Sequence, residues 1–117
     1  VNKPLVIIES PYKGDVVRNE RYAKLCMKDS LDRGEVPFVS HLLYTLVLDD
    51  TFPPDRKLGM EAGFEVISRS DYTAVYEDYG ISDGMKEGIE IAKKLGHRID
   101  YRRLDRDECS TSSSNPI

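Results

Sequence analysis

The sequence has 117 residues, which fits one domain with a real core and leaves no room for a second. Its formal net charge is −4, the wrong sign for a surface that wraps nucleic acid, so any nucleotide partner is expected to be a small one. No apolar run approaches membrane-spanning length and the N-terminus opens on a strand rather than a signal peptide, which makes the cytoplasm the expected compartment and excludes a membrane partner. Leu5 to Ile8 is a continuous apolar run closed by the turn-forming stretch Ser10-Pro11-Tyr12-Lys13-Gly14-Asp15, and it predicts a buried first strand and a functional loop. Apolar positions at helical spacing from Val16 to about Arg33 predict the first helix, stopped by Gly34. Val36 to Val39 predicts a second strand, weakened by Pro37, with Ser40 and His41 at its C-terminal end. Leu42 to Leu48 fits helix or strand, and Ser40 as a cap favours the helix.

The turn residues from Asp49 onward predict a loop, with Asp55 capping a third helix that runs to about Ser68. Gly59 and Gly63 inside it each cost about 1 kcal/mol relative to Ala, which close packing or ligand approach would justify. Tyr72 to Tyr76 predicts the third strand. Ile81-Ser82-Asp83-Gly84 leads into a fourth helix through Lys94, stopped by Gly96, and Ile99 to Arg102 predicts the last strand. The expected fold is therefore α/β: a single three-layer domain over residues 1–104, with a mainly parallel sheet of four to five strands and helices on both faces, flavodoxin- or Rossmann-like. Residues 105–117, rich in Ser and charge, are expected to form a mobile tail.

In such sheets the binding crevice lies at the C-terminal ends of the strands, where Glu9 to Asp15, Ser40 with His41, and Glu77 to Gly84 fall. The first loop offers Ser10, an aromatic face in Tyr12, a cation in Lys13 and a backbone-approach glycine in Gly14 beside a helix start, a combination suited to a base or a phosphate; it also reads as a plain strand-to-helix turn with Asp15 as cap. Ser82, Asp83, Gly84 and Met85 form the mouth of the fourth helix, where a ribose hydroxyl or phosphate is the natural guest and where a simple cap is the blander reading. His41 suits a ligand edge or a structural hydrogen bond, and Arg56 an anionic ligand or a surface ion pair. His97 reads as solvent-facing, with no role. Asp49 and Asp50 lack the further carboxylates or histidines of a metal site, and Cys26 and Cys109 form neither a CxxC nor a Cys/His cluster, so no metal and no cofactor is expected. Glu87 flanks the buried stripe of the fourth helix formed by Met85, Ile89 and Ala92 and is the candidate catalytic carboxylate, while Glu90 points with Lys86 and Lys93 toward solvent.

Taken together, the first loop, Asn19, His41-Leu42-Leu43-Tyr44, Leu48-Asp49-Asp50, Arg56, Gly59-Met60, Asp71 and Ile81-Ser82-Asp83-Gly84-Met85 resemble the small nucleoside 2-deoxyribosyltransferase-like domains of phage and bacterial genomes, over roughly residues 4 to 103. The resemblance implies a nucleoside, nucleotide or ADP-ribose-type ligand and a homo-oligomer whose sites are completed between subunits. In the enzymatic relatives a helix carboxylate attacks the anomeric carbon from a motif like Glu-Ile-Gly-Tyr-Ala. Aligning its alanine with Ala92 puts that position at Gly88, with Glu87 one residue early and about 100° around the helix. The expected function is therefore binding of a nucleotide or nucleotide-derived molecule, with sequestration of a signalling nucleotide as its sharper form. The alternatives are an N-glycosidase or deoxyribosyltransferase using Glu87, assisted by Asp71 or Asp83, and a non-catalytic protein-interaction module.

Overall fold

Leu5–Glu9 (β1) is apolar on both faces until its last residue, and the structure places it inside a four-stranded parallel sheet of order β2-β1-β3-β4, with β2 at Val36–Phe38, β3 at Tyr72–Tyr76 and β4 at Arg98–Arg102. The computed structural model describes residues 2–104; the expected tail and Cys109 lie outside them. Pro37 is accommodated because β2 is an edge strand, where a missing N–H is tolerated.

Between the strands run α1 (Val16–Asp32), α2 (Ser40–Leu43) with a 3-10 turn at Tyr44–Leu46, α3 (Pro53–Ser68) and α4 (Asp83–Lys94). The first helix starts where the Asp15 carboxylate accepts the Arg18 N–H and ends before Gly34, which turns the chain at φ +87°. The segment after β2 is shorter than expected and is not capped by Ser40. Val39, in extended conformation, is the N-cap; Ser40 lies within the first turn, and four residues later the chain tightens into 3-10 geometry. Asp55 is likewise not the cap of α3: the helix starts at Pro53, where proline's fixed φ and absent N–H cost nothing, and the Asp55 carboxylate instead accepts the Asp49 N–H. No helix among the described residues is long and apolar enough to cross a membrane.

Period-2 alternation divides the core into two layers. Val6 and Ile8 of β1 with Ala74 and Tyr76 of β3 face Tyr22, Ala23 and Cys26 of α1. On the other face Val75 packs with Met85 and Ile89 of α4 and with Ile99 of β4. Because the order runs outward to β2 on one side of β1 and to β3 and β4 on the other, the switch point lies between β1 and β3, and a crevice opens at their C-terminal ends.

A polar layer crosses the α1 side. Arg102, at the end of β4, donates in fork geometry to Glu35, before β2, at 3.0 and 2.7 Å, and both side chains are about 6% exposed. Ser30 and Tyr72 donate to the same carboxylate, and Arg102 also reaches the Tyr76 hydroxyl, which donates to Asp29. Burial alone would raise the Glu35 carboxyl, but the hydrogen bonds from Arg102, Tyr72 and Ser30 hold it at about 2. Its folded-state value lies below its unfolded one, so the stability it contributes is present above about 4.5 and is lost as pH falls toward 2. Arg102→Met should leave a buried, unpaired carboxylate and cost about 3–5 kcal/mol in urea unfolding at pH 7. The variant should also show a weaker loss of stability over the same acid range; an acid response equal to the wild type would refute this account.

Candidate active site

Three strand-end loops and one helix build the cleft. After β1, Asn19 of α1, fully buried, donates from Nδ2 to the carbonyls of Tyr12 and Lys13 at 3.0 Å each and so fixes the course of the loop. Gly14, at φ +99°, supplies the left-handed turn into α1. Ser10 is buried, and its hydroxyl meets His41 Nε2 at 3.2 Å, tying the end of β1 to the start of α2. The rings of Tyr12 and His41 lie 5.2 Å apart, tilted. Burial lowers the His41 pKa, so its ring is neutral near pH 7 and keeps one donor and one acceptor nitrogen; Nδ1 is buried without a partner among the described residues.

On the opposite side, α3 brings Arg56 to the rim. Its guanidinium donates to both Asp50 oxygens at 3.2 Å and lies 4.0 Å from Glu87. Gly59 lines the cleft and lets α3 approach Leu48, whose Cδ1 lies 3.4 Å from where a Cβ would stand; Gly63 borders the cleft with open space beside it. At the mouth of α4 the Ser82 hydroxyl accepts the Met85 N–H at 3.3 Å and so is the cap, Asp83 is fully exposed, Gly84 is exposed, and Met85 is buried in the core while still bordering the cleft. The cleft thus gathers Ser10, Tyr12, Lys13, His41, Arg56, Ser82 to Met85 and Glu87, whereas Gly14, expected to approach the ligand, turns the chain into α1 and does not line it. Two readings change. Asp71 accepts the Leu5 N–H at 2.7 Å, at the N-terminal end of the sheet and so at the wrong end to assist Glu87. His97 is half-buried rather than solvent-facing, with Nδ1 buried and unpartnered among the described residues.

Glu9, to which the sequence pattern assigns no role of its own, also borders the cleft. Glu9 shares its face of β1 with Ile7, opposite Val75 of β3 and therefore on the α4 side. No hydrogen bond or ion pair to its carboxyl occurs among the described residues, and desolvation by burial raises its pKa to about 8. The carboxyl lies against the backbone of Gly88: a side chain at position 88 would begin inside the space that the Glu9 carboxyl occupies. Glu9 and Gly88 are thus a complementary pair, the glycine of α4 making room for the acid of β1. The signal in the sequence was a carboxylate ending an apolar strand at the crevice end, together with a glycine inside a helix; nothing local linked the two.

The profile of a domain of unknown function (DUF7768) matches residues 4–102. No curated protein matches the chain. Among solved structures the chain is similar to the 2-deoxyribosyltransferase from the psychrotolerant bacterium Bacillus psychrosaccharolyticus, at a TM-score of 0.61 and 15% identity, covering 85% of this chain and 72% of that one. At that identity the likeness establishes the α/β deoxyribosyltransferase-like fold.

The folded protein retains a proton on Glu9 that the unfolded chain releases, so stability should fall as pH rises from about 4.5 to about 8, with a slope of at most about 1.4 kcal/mol per pH unit. Glu9→Gln should flatten that region of the curve, measured by thermal unfolding in a pH series. A curve unchanged by the substitution would mean that Glu9 is not desolvated in the native state.

Proposed function

The chain belongs to the DUF7768 family, and we propose that its cleft binds a nucleoside, or the nucleoside portion of a nucleotide or ADP-ribose-type molecule. The observation that carries this reading is the cleft at the β1/β3 switch point, where the Tyr12–His41 ring pair stands across from Arg56 and beside the N-terminus of α4. Tyr12 offers a face for a base, and the neutral His41 ring offers a polar edge. Glu9, Asp50, Asp55 and Glu87 outnumber Arg56 along the part of the cleft walled by α3. Such a lining suits sugar hydroxyls, which donate to carboxylates, and disfavours a polyphosphate on that side. A phosphate fits at the mouth, beside Lys13 and the Gly84 backbone, with Asp83 turned to solvent. The fold it shares with a deoxyribosyltransferase supports the nucleoside class.

Retention without cleavage, including sequestration of a signalling nucleotide, is the reading for a cleft in which no side chain acts on the bound molecule. Glu87 is a weak agent for cleavage: it is exposed at 57% and stands beside Arg56. The exposed Leu58, Met60 and Phe64 along α3 support a homo-oligomer in solution, which light scattering on the full chain would read directly.

Equilibrium binding of the full chain to nucleosides, their monophosphates and ADP-ribose tests the assignment. Tyr12→Ala should weaken all binders by about tenfold, the scale of one aromatic–base contact. Arg56→Ala should weaken phosphorylated ligands more than unphosphorylated ones. Wild-type affinity in both variants, or no binding of any compound, would remove the ligand from this cleft.

A further inference from the structure

We propose that Ser10 determines which bases the cleft accepts: its hydroxyl, held by His41, donates to an acceptor on the ligand, so that a base with a keto oxygen is selected over one with an amino group at the same ring position. The inference rests on the nucleoside reading of the cleft and adds the class of base to it.

The parallel register brings the two residues together. Leu5 pairs with Val36 and Ile7 with Phe38, and three residues beyond that last pair come Ser10 and His41. Their side chains meet at the crevice end of the sheet, Ser10 Oγ 3.2 Å from His41 Nε2. Ser10 is 4% exposed, and both residues border the cleft.

A neutral imidazole has one N–H and one bare nitrogen, and the partners of the two nitrogens decide which is which. His41 Nδ1 is buried and has no partner among the described residues. With the proton on Nδ1 the fold would enclose an orphaned N–H, the rarest kind of unpaired group. The proton therefore belongs on Nε2, where Ser10 Oγ accepts it, and the unmatched site is the lone pair of Nδ1. This arrangement uses a lone pair of the Ser10 oxygen and leaves the hydroxyl hydrogen without an acceptor among the described residues. A donor so shielded from water is unfavourable until an acceptor meets it, and the open side of Ser10 is the cleft.

The same proton placement sets aside the other chemistry of a Ser–His pair. A histidine that activates a serine presents a bare nitrogen to it and keeps its proton on the far nitrogen, held by a third group. At His41 the far nitrogen has no such group among the described residues. His41 positions Ser10 and does not activate it.

Tyr12, in the same loop, places its ring 5.2 Å from that of His41. A base lying on the Tyr12 face meets the Ser10–His41 pair with its edge. A keto oxygen there accepts the free hydrogen, whereas an amino group is itself a donor and leaves that hydrogen unmatched.

Titration calorimetry of the full chain with deoxyinosine against deoxyadenosine, and with deoxyuridine against deoxycytidine, tests the assignment, because each pair exchanges a keto oxygen for an amino group. Wild type should bind the keto member about tenfold more tightly, the scale of one net hydrogen bond. Ser10→Ala should bring the two members within about twofold of each other. His41→Ala should do the same, whereas His41→Gln, whose amide nitrogen replaces Nε2 as the donor, should keep the preference even where overall affinity falls. Nitrogen NMR of the His41 ring should show Nε2 protonated and Nδ1 bare, a readout that needs neither variant nor ligand and that decides the matter together with the wild-type ratios if Ser10→Ala does not fold. Equal affinity within both pairs, a preference for the amino members, a preference that survives Ser10→Ala, or a proton on Nδ1 would each overturn the inference and leave the nucleoside reading standing. Covalent labelling of Ser10 by a fluorophosphonate would likewise overturn it, since that requires a serine activated by its histidine. Binding of none of these nucleosides or of their 5′-monophosphates would overturn both.

Discussion

The Arg102–Glu35 pair is the interaction on which the sheet's integrity rests. It joins the last residue of one edge strand to the residue before the other edge strand, across β1 and β3, and it does so on the α1 side, largely out of water. A parallel sheet this small has two open edges and no hairpin to hold them together. The fork geometry of the guanidinium satisfies both carboxylate oxygens, and Ser30 and Tyr72 complete the set. Tyr76, bridging Arg102 and Asp29, ties the same network to α1. The sheet is thereby clamped on one face, which leaves the other face and its crevice free to be shaped by function.

Two glutamates show how one residue type takes opposite states within 13 kDa. Glu35 is charged because its partners were built around it, and burial is overcome by hydrogen bonds. Glu9 is neutral because none were built, and burial prevails. A fold optimised for stability alone would place an aliphatic side chain at the end of β1, continuing the run from Leu5. An acid there, matched by a helical glycine, is a local inconsistency of the kind that marks functional sites.

Much of the fold was legible because its signals are local. The apolar run of β1, the helical spacing of α1, β3 and the Ser82 cap of α4 lie where period and capping chemistry put them. The departures also have local causes: Pro53 at the first helical position outranks Asp55 as the start of α3, and the residues after β2 are too few to declare a period. The loops that form the cleft could be named from their place after each strand. What could not be read was the pairing of residues far apart in sequence, such as Arg102 with Glu35 or Gly88 with Glu9. Each member looks ordinary alone, a charged strand end or a weak helix former, and acquires meaning only from its partner.

The third helix contributes a single buried side chain, Ile67 near its C-terminal end, yet its first half forms one wall of the cleft. The free energy of detaching such an element is set by its few apolar contacts rather than by those of the whole domain. The wall bearing Arg56, Gly59 and Met60 is therefore anchored at its far end and only lightly held beside the ligand site, like a door hung from Ile67. Widening the cleft on this side then costs the molecule a fraction of its total stability.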